Sequence, residues 1–205
     1  MSDMAPDPEP RQDWQVNRGI LPIDNLFQRL GGGSPLQRCI EVAKAAGTVT
    51  LLDARCGAGE ALIEAKETIA QAVPIDPQAI HAEGVSTEDY TIFLRPDQRQ
   101  RVDTGYVRLQ YTEITQAQFE RPINVAYAHE LLVGHHDPVG AVLHVLHNLA
   151  PGGVFYCSAP PDQVDLSTCK QGLRELGWNV HDAQSRQHST SGSHRILSLF
   201  TKPLG

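Results

Sequence analysis

The stretch VTLLDARCGAGEALIEA, Val49 to Ala65, holds the residues best placed to do chemistry. A short apolar run ends at Asp53, Cys56, Gly57 and Gly59 follow in a turn, and a helical pattern begins after them. Strand, glycine turn and helix together present backbone N–H groups to a nucleotide-like ligand. Gly57 and Gly59 let the backbone approach such a ligand closely, while Asp53 can orient the loop or meet a ligand's amino group. Glycines also simply end strands, and an aspartate after a strand also caps a helix. Arg55 stands in the turn where loops of this kind hold something small. A second carboxylate, Asp76, closes the run AQAVPIDPQ, which reads as a short strand. Further along, His129, Glu130, His135 and His136 cluster after the apolar run INVAYA and are candidates for proton transfer. His135 and His136, with Asp137 and Pro138, read as surface residues opening the next helix. His144 and His147 are three apart on a helical pattern, but no third metal ligand accompanies them, so no metal site is expected.

Elements of alternating type must position these residues. Met1 to about Asn17 is rich in Pro, Asp and Gln and reads as a disordered tail. Residues 18–34 form an N-terminal segment, amphipathic over Gly19–Leu30, and a glycine-rich linker, GGGSP. No Gly-Lys-Ser/Thr follows those glycines, which excludes a phosphate-binding P-loop. Ser34 and Pro35 supply an N-cap and first-turn proline for a helix that Gly47 ends. Val49–Asp53 reads as a strand buried on both faces, and a helix runs from about Ala58 to Ala70. Between His81 and Tyr106 the pattern is weak: YTIFLR alternates like a strand, PDQ reads as a turn, and YVRLQYTE reads as another strand. Ile123–Ala128 is a buried strand, and Val142, Val145, Leu146 and Leu149 form a helical stripe. PGG, Pro151–Gly153, leads into VFYCSAP. Leu166, Cys169, Leu173 and Leu176 form a further stripe ended by Gly177, and WNVHDAQSRQ and HRILSLFTKP read as an antiparallel hairpin. The alternation predicts an α/β fold with helices on both faces of an open sheet.

Composition narrows the function. The chain has 205 residues with 40% hydrophobic and 20% charged residues, enough for one well-buried domain. A net charge of −7 repels phosphates, so a nucleic-acid partner is disfavoured. The densest basic stretch, Arg95–Arg108, is interrupted by Asp97 and Asp103 and reads as a solvated loop. Cys39, Cys56, Cys157 and Cys169 show no C-x-x-C or metal spacing. With no signal peptide and no membrane-spanning apolar run, the reading is a cytoplasmic compartment with free thiols.

The motifs together resemble the class I S-adenosylmethionine-dependent methyltransferases. LLDARCGAGEAL resembles their first motif, L-D-x-G-C-G-x-G, and VPID resembles the end of their second strand. INVAYAHELLVGHHDPVGAVLHVLHNLAPGGVFYCSAP follows their pattern of strand four, helix, P-G-G and strand five. The likeness covers roughly Pro35 to Pro203. It implies a Rossmann-like, seven-stranded, mostly parallel sheet of order 3-2-1-4-5-7-6 with a C-terminal antiparallel hairpin, in a methyltransferase-like domain spanning 35–205. It implies S-adenosylmethionine as cofactor, with Asp53, Arg55, Cys56, Gly57 and Gly59 around it, Asp76 on the ribose hydroxyls, and Glu113 standing in near the adenine. His129 falls where strand four ends and the acceptor cleft begins, as a general base. Methyl transfer asks mainly that a nucleophile be aligned with the methyl group.

Four positions depart from the family pattern. Arg55 replaces the first glycine of the loop, Pro74 stands where strand two has glycine, Asn124 stands where strand four often has aspartate, and Thr112–Glu113 lacks the usual Gly-Asp pair. Two readings follow: a methyltransferase acting on a small-molecule acceptor, or a methyltransferase-fold protein that no longer transfers methyl groups and serves as a binding or assembly module.

Overall fold

A computed structural model of the chain describes residues 19–31, 33–129, 136–159, 165–185 and 195–204. The first helix, α1 (Ile20–Phe27), packs on α2 (Pro35–Ala46) and α3 (Glu60–Ala72). Ser34 accepts the Gln37 N–H and Pro35 fills the first turn of α2, while Gly47 closes it in the left-handed conformation, as the sequence signals require. The strands are β1 (Val49–Asp53), β2 (Ile80–Ser86), β3 (Arg108–Tyr111), β4 (Ile123–His129), β5 (Leu149–Ala159), β6 (Asn179–Ser185) and β7 (Arg195–Thr201). Three further helices are α4 (Pro96–Asp103), α5 (Pro138–His147) and α6 (Ser167–Glu175).

The seven strands form one sheet in the order β3-β2-β1-β4-β5-β7-β6, the expected arrangement. β3, β2, β1, β4 and β5 run parallel, and β7 is antiparallel to both β5 and β6. One face buries Leu51, Val125, Tyr127 and Tyr156 against α1, α2 and α3. The other buries Leu52, Ala126, Phe155 and Phe200 together with Val142, Val145 and Leu146 of α5 and Leu173 of α6. Strand alternation sends neighbours to opposite faces, so every other residue of β1 and β4 belongs to each core. Phe155 and Phe200, register partners across β5 and β7, stack at 5.9 Å between ring centroids. Ile20, Ile23, Leu26 and Phe27 place α1 inside the first core.

The second strand lies later than the sequence suggested. AQAVPIDPQ does not end a strand at Asp76. The strand is Ile80–Ser86, and Asp76 caps the short turn Pro77–Ala79 before it, accepting the Gln78 N–H at 2.8 Å. Pro74 and Pro77 have no N–H to give a ladder, and His81 and Glu83 obscured the apolar pattern of the real strand. YTIFLR likewise forms a 3-10 turn, Thr91–Phe93, and PDQ opens helix α4 with Pro96 in its first turn. The basic stretch is thus partly helical, with Arg95, Arg101 and Arg108 paired to Glu60, Glu67 and Glu83 respectively. In the stripe before Gly177, Leu166 and Leu173 are buried but Leu176 is 74% exposed, because α6 has already ended at Glu175.

Candidate cofactor site at the strand ends

The C-terminal ends of β1, β2, β3 and β4 lie side by side, the edge where parallel α/β sheets take ligands. The turn after β1 is stitched to both neighbouring strands: Ala54 N–H donates to the Tyr127 carbonyl at 2.9 Å, and Cys56 N–H donates to the Val85 carbonyl at 3.0 Å. Gly57 and Gly59 have φ of +53° and +89°, values that side-chain-bearing residues rarely adopt. Gly59 is also the N-cap of α3 and offers no side-chain cap. The first-turn amides of a 13-residue helix therefore face this edge, a ready site for anionic or oxygen-rich groups.

Gly84 was not singled out from sequence, yet it is needed here. It pairs with Asp53 in the β1–β2 ladder, and a Cβ on it would come within 2.7 Å of Cys56 and Leu62. Its bareness lets the Cys56 turn lie across β2. A glycine inside a strand is the available signal, but it only becomes legible once Ile80–Ser86 is known to be the strand.

Asp53 is 3% exposed. Its Oδ1 accepts the Arg55 N–H at 3.0 Å. Burial pushes its carboxyl up to about 7, opposed by that N–H, by the Tyr127 hydroxyl beside it and by the Arg55 charge. Tyr127 is its register partner on β4. The Tyr127 hydroxyl lies beside the Asp53 carboxyl, close enough to act on it, but makes no well-formed hydrogen bond among the described residues. Cys56 is buried, and burial followed by the Asp53 charge raises its thiol well above the usual value, so it is no nucleophile. Arg55 is exposed.

The end of β2 carries Ser86, whose Oγ donates to the Glu88 carbonyl at 2.8 Å. Thr112 N–H donates to the Ser86 carbonyl at 2.9 Å and brings the end of β3 alongside. Exposed Glu113 follows directly. His129, the last residue of β4, is half-buried at the same edge. The structure thus gathers Asp53, Arg55, Cys56, Gly57, Gly59, Glu113 and His129 along one edge. Asp76 is the exception: it precedes β2 and is exposed at the opposite edge of the sheet. Glu130 and His135 lie outside the described residues. His136 is exposed, and Asp137 caps α5 through the Gly140 N–H at 2.8 Å. His144 Nε2 meets the Ala117 carbonyl at 2.9 Å, and no cluster among the described residues could hold a metal ion. Asn124 holds β4 to β1 by accepting the Thr50 N–H at 2.8 Å.

No protein-family model matches the sequence, and no curated protein matches it. Solved structures do. A putative class I S-adenosylmethionine-dependent methyltransferase from Listeria monocytogenes superposes with a TM-score of 0.61 at 15% identity, over 88% of this chain and 59% of that one. The chain thus spans somewhat more than half the length of that protein. N-methyltransferase NodS from Bradyrhizobium japonicum, solved with S-adenosyl-L-homocysteine, superposes with a TM-score of 0.55 at 17% identity, over 93% of this chain and 91% of that one. The [4+2]-cyclase SpnF also superposes at 0.55, with 16% identity, over 89% of this chain and 94% of that one. The fold is that of the class I S-adenosylmethionine-dependent methyltransferases.

Proposed function

We propose that the protein is an S-adenosylmethionine-dependent methyltransferase acting on a small-molecule acceptor. One observation carries the reading: a left-handed glycine turn after β1, with an uncapped helix and a buried carboxyl, opens on the edge where β2, β3 and β4 also end. The backbone around Gly57 and Gly59 would hold the methionine and ribose portions, and Asp53 would take the cofactor's ammonium group. Glu113 would lie toward the adenine. Asp76 has no part in this reading. Ser86, at the end of β2, has the hydroxyl and position to meet the ribose in its place, a weaker partner than a carboxylate.

The sulfonium supplies an activated methyl group. The protein aligns the acceptor with it, and His129 would take the acceptor's proton at an imidazole nitrogen. A net charge of −7 favours a small acceptor over a nucleic acid. Among the described residues no helix is long and apolar enough to cross a membrane.

The second reading, a methyltransferase-fold module without methyl transfer, draws on Arg55 in the turn and on Ser86 where a carboxylate would grip the ribose. The same fold in a [4+2]-cyclase shows that its chemistry varies. Calorimetric titration with S-adenosylmethionine and S-adenosylhomocysteine decides first whether the site is loaded. Micromolar binding of either supports the first reading, and absence of both sinks it. With binding present, a His129→Ala loss of about 100-fold in turnover would assign the base.

A further inference from the structure

Two buried hydroxyls, those of Tyr127 and Tyr156, have no hydrogen-bond partner among the described residues. They are register partners on β4 and β5 and share one face of the sheet. An orphaned buried hydroxyl is costly and calls for an explanation. The two differ in what they face. Tyr127 is the register partner of Asp53 and feels its carboxyl and the Cys56 and Cys39 thiols. Tyr156 has Phe27 of α1 packed 5.5 Å from its ring and feels Cys39, Arg38 and Glu41 of α2 and Asp24 of α1, not Asp53.

We propose that Tyr127 is a positioning residue of the cofactor site, whose hydroxyl donates to the Asp53 carboxylate when that carboxylate holds a cationic ligand group. The inference rests on the cofactor reading above and extends it to a residue that lies beneath the turn. Asp53 has two oxygens. Arg55 N–H already bonds Oδ1 at 3.0 Å, and Tyr127, the register partner of Asp53 on β4, acts on the carboxyl from beside it. The titratable groups that bear on the pair among the described residues are Arg55, which is charged, and the neutral buried thiols of Cys56 on the turn and Cys39 on α2. Arg55 is exposed, and among the described residues no buried cation acts on the carboxylate.

A neutral acid in this place gains little from a phenol. An anion gains a short, charge-assisted bond. When an ammonium group arrives, any proton still on Asp53 passes to solvent, the ammonium pairs with one side of the carboxylate, and Tyr127 O–H closes on the other. Loading thereby completes and fixes the acceptor for a hydroxyl that has no well-formed partner among the described residues. Tyr156, turned toward α1 and α2, has no such role and serves as the internal control.

The test compares Tyr127→Phe and Tyr156→Phe with the intact chain. S-adenosylhomocysteine is titrated calorimetrically between pH 6 and 8.5, and the Asp53 carboxyl carbon, assigned with Asp53→Asn, is followed by NMR in the ligand-free protein. Expected for Tyr127→Phe are about tenfold weaker binding at pH 7.5, on the scale of one hydrogen bond to a charged group, and an upward shift of the Asp53 midpoint. Tyr156→Phe should match the intact chain in both. Unchanged affinity and midpoint in Tyr127→Phe, or equal shifts in the two variants, would overturn the proposal. If the intact chain bound neither S-adenosylmethionine nor its product, the cofactor reading would fail by itself. The ligand-free midpoint would still judge the Tyr127–Asp53 contact, and an unmoved midpoint would end it.

Discussion

Asp53 and Asp182 are carboxyls set on strands of one sheet and treated in opposite ways. Asp182, on β6, accepts from Lys170 Nζ at 2.7 Å and Ser198 Oγ at 2.8 Å, with Arg174 at 3.4 Å. Burial works to raise its carboxyl, and the two hydrogen bonds with the charges of Lys170 and Arg174 outweigh it, so Asp182 is held below its ordinary value. Asp53 is more deeply buried, has one backbone donor at hydrogen-bond distance, and is pushed up to about 7. The cluster around Asp182 is complete in itself and borders a groove of about 720 Å3 between α6 and the β6–β7 pair. Among the described residues, the cluster around Asp53 holds no buried cation and leaves Tyr127 without a well-formed hydrogen bond. Paired polar groups hold a corner together. Unpaired ones at a strand end mark where something else is meant to bind.

The comparison is broken most sharply by removing the Asp53 charge. Its carboxyl titrates near 7 in the folded chain and near the usual 3.9 when unfolded. As pH rises from about 4 to 7 the unfolded chain releases this proton first, so the group costs nothing below that window and its full amount above it. Asp53→Asn keeps an oxygen for the Arg55 N–H and removes the charge. It should stabilise the ligand-free protein by about 2–4 kcal/mol at pH 8 and leave it nearly unchanged at pH 4, while abolishing cofactor binding. Melting temperatures across that range check it. A variant destabilised at pH 8 would mean that Asp53 is a structural anchor.

The opposite effect is expected at Lys170. Lys170→Met leaves Asp182 without its closest cation, and stability should fall by about 2 kcal/mol at pH 7, discounted because Asp182 is about a third exposed. Asp182 contributes stability above the ordinary carboxylate range and loses it as pH falls through its lowered value. The penalty in Lys170→Met should therefore fade in acid, the reverse of the Asp53 profile. Urea midpoints at pH 7 and pH 3 measure it, and cofactor affinity should stay at the level of the intact chain.

Gly84→Ala probes the frame around Asp53. Its added carbon, 2.7 Å from Cys56 and Leu62, must displace side chains of the turn and of α3, at about 1–2 kcal/mol. Chemical denaturation would read this loss, and affinity for S-adenosylhomocysteine should fall with it because the turn is lifted. Normal affinity in a destabilised Gly84→Ala would separate the turn from the ligand.

The strands β1, β4, β5 and the final hairpin were legible because they have long apolar or alternating runs, and their order followed from the family resemblance that those motifs carry. The glycine turn was legible because positive φ selects glycine, and Gly57 and Gly59 both adopt it. The second strand was not, because IHAEGVS mixes polar and apolar residues on a strand whose burial depends on neighbours far away in sequence. That displacement carried the carboxylate assignment to Asp76, at the wrong edge of the sheet, and hid Gly84 and Ser86. Tyr127 was hidden for another reason. A tyrosine in an apolar strand looks like core until its register partner proves to be a buried acid.

The smallest effect concerns Arg55, which stands where the pattern L-D-x-G-C-G-x-G has a glycine. The turn's glycines with positive φ are Gly57 and Gly59, and what Arg55 brings to the turn is charge. Its exposed guanidinium lowers the Asp53 carboxyl and so helps any ligand that brings an ammonium group to Asp53. S-adenosylmethionine and S-adenosylhomocysteine share that group, and the help is common to both. Only the methyl donor also carries a sulfonium, which a nearby guanidinium repels. Solvent screening at an exposed side chain keeps the difference small, about two- to threefold in affinity. Arg55→Gly should weaken the product slightly and the donor less, or tighten the donor outright, so the ratio of donor to product affinity rises. Adding salt to the intact chain should move the same ratio in the same direction, because it screens the same repulsion. Titrating both ligands against both proteins at low and high salt gives four ratios. A ratio that falls in Arg55→Gly would make the arginine a ligand of the donor, and the charge account of the turn would fail.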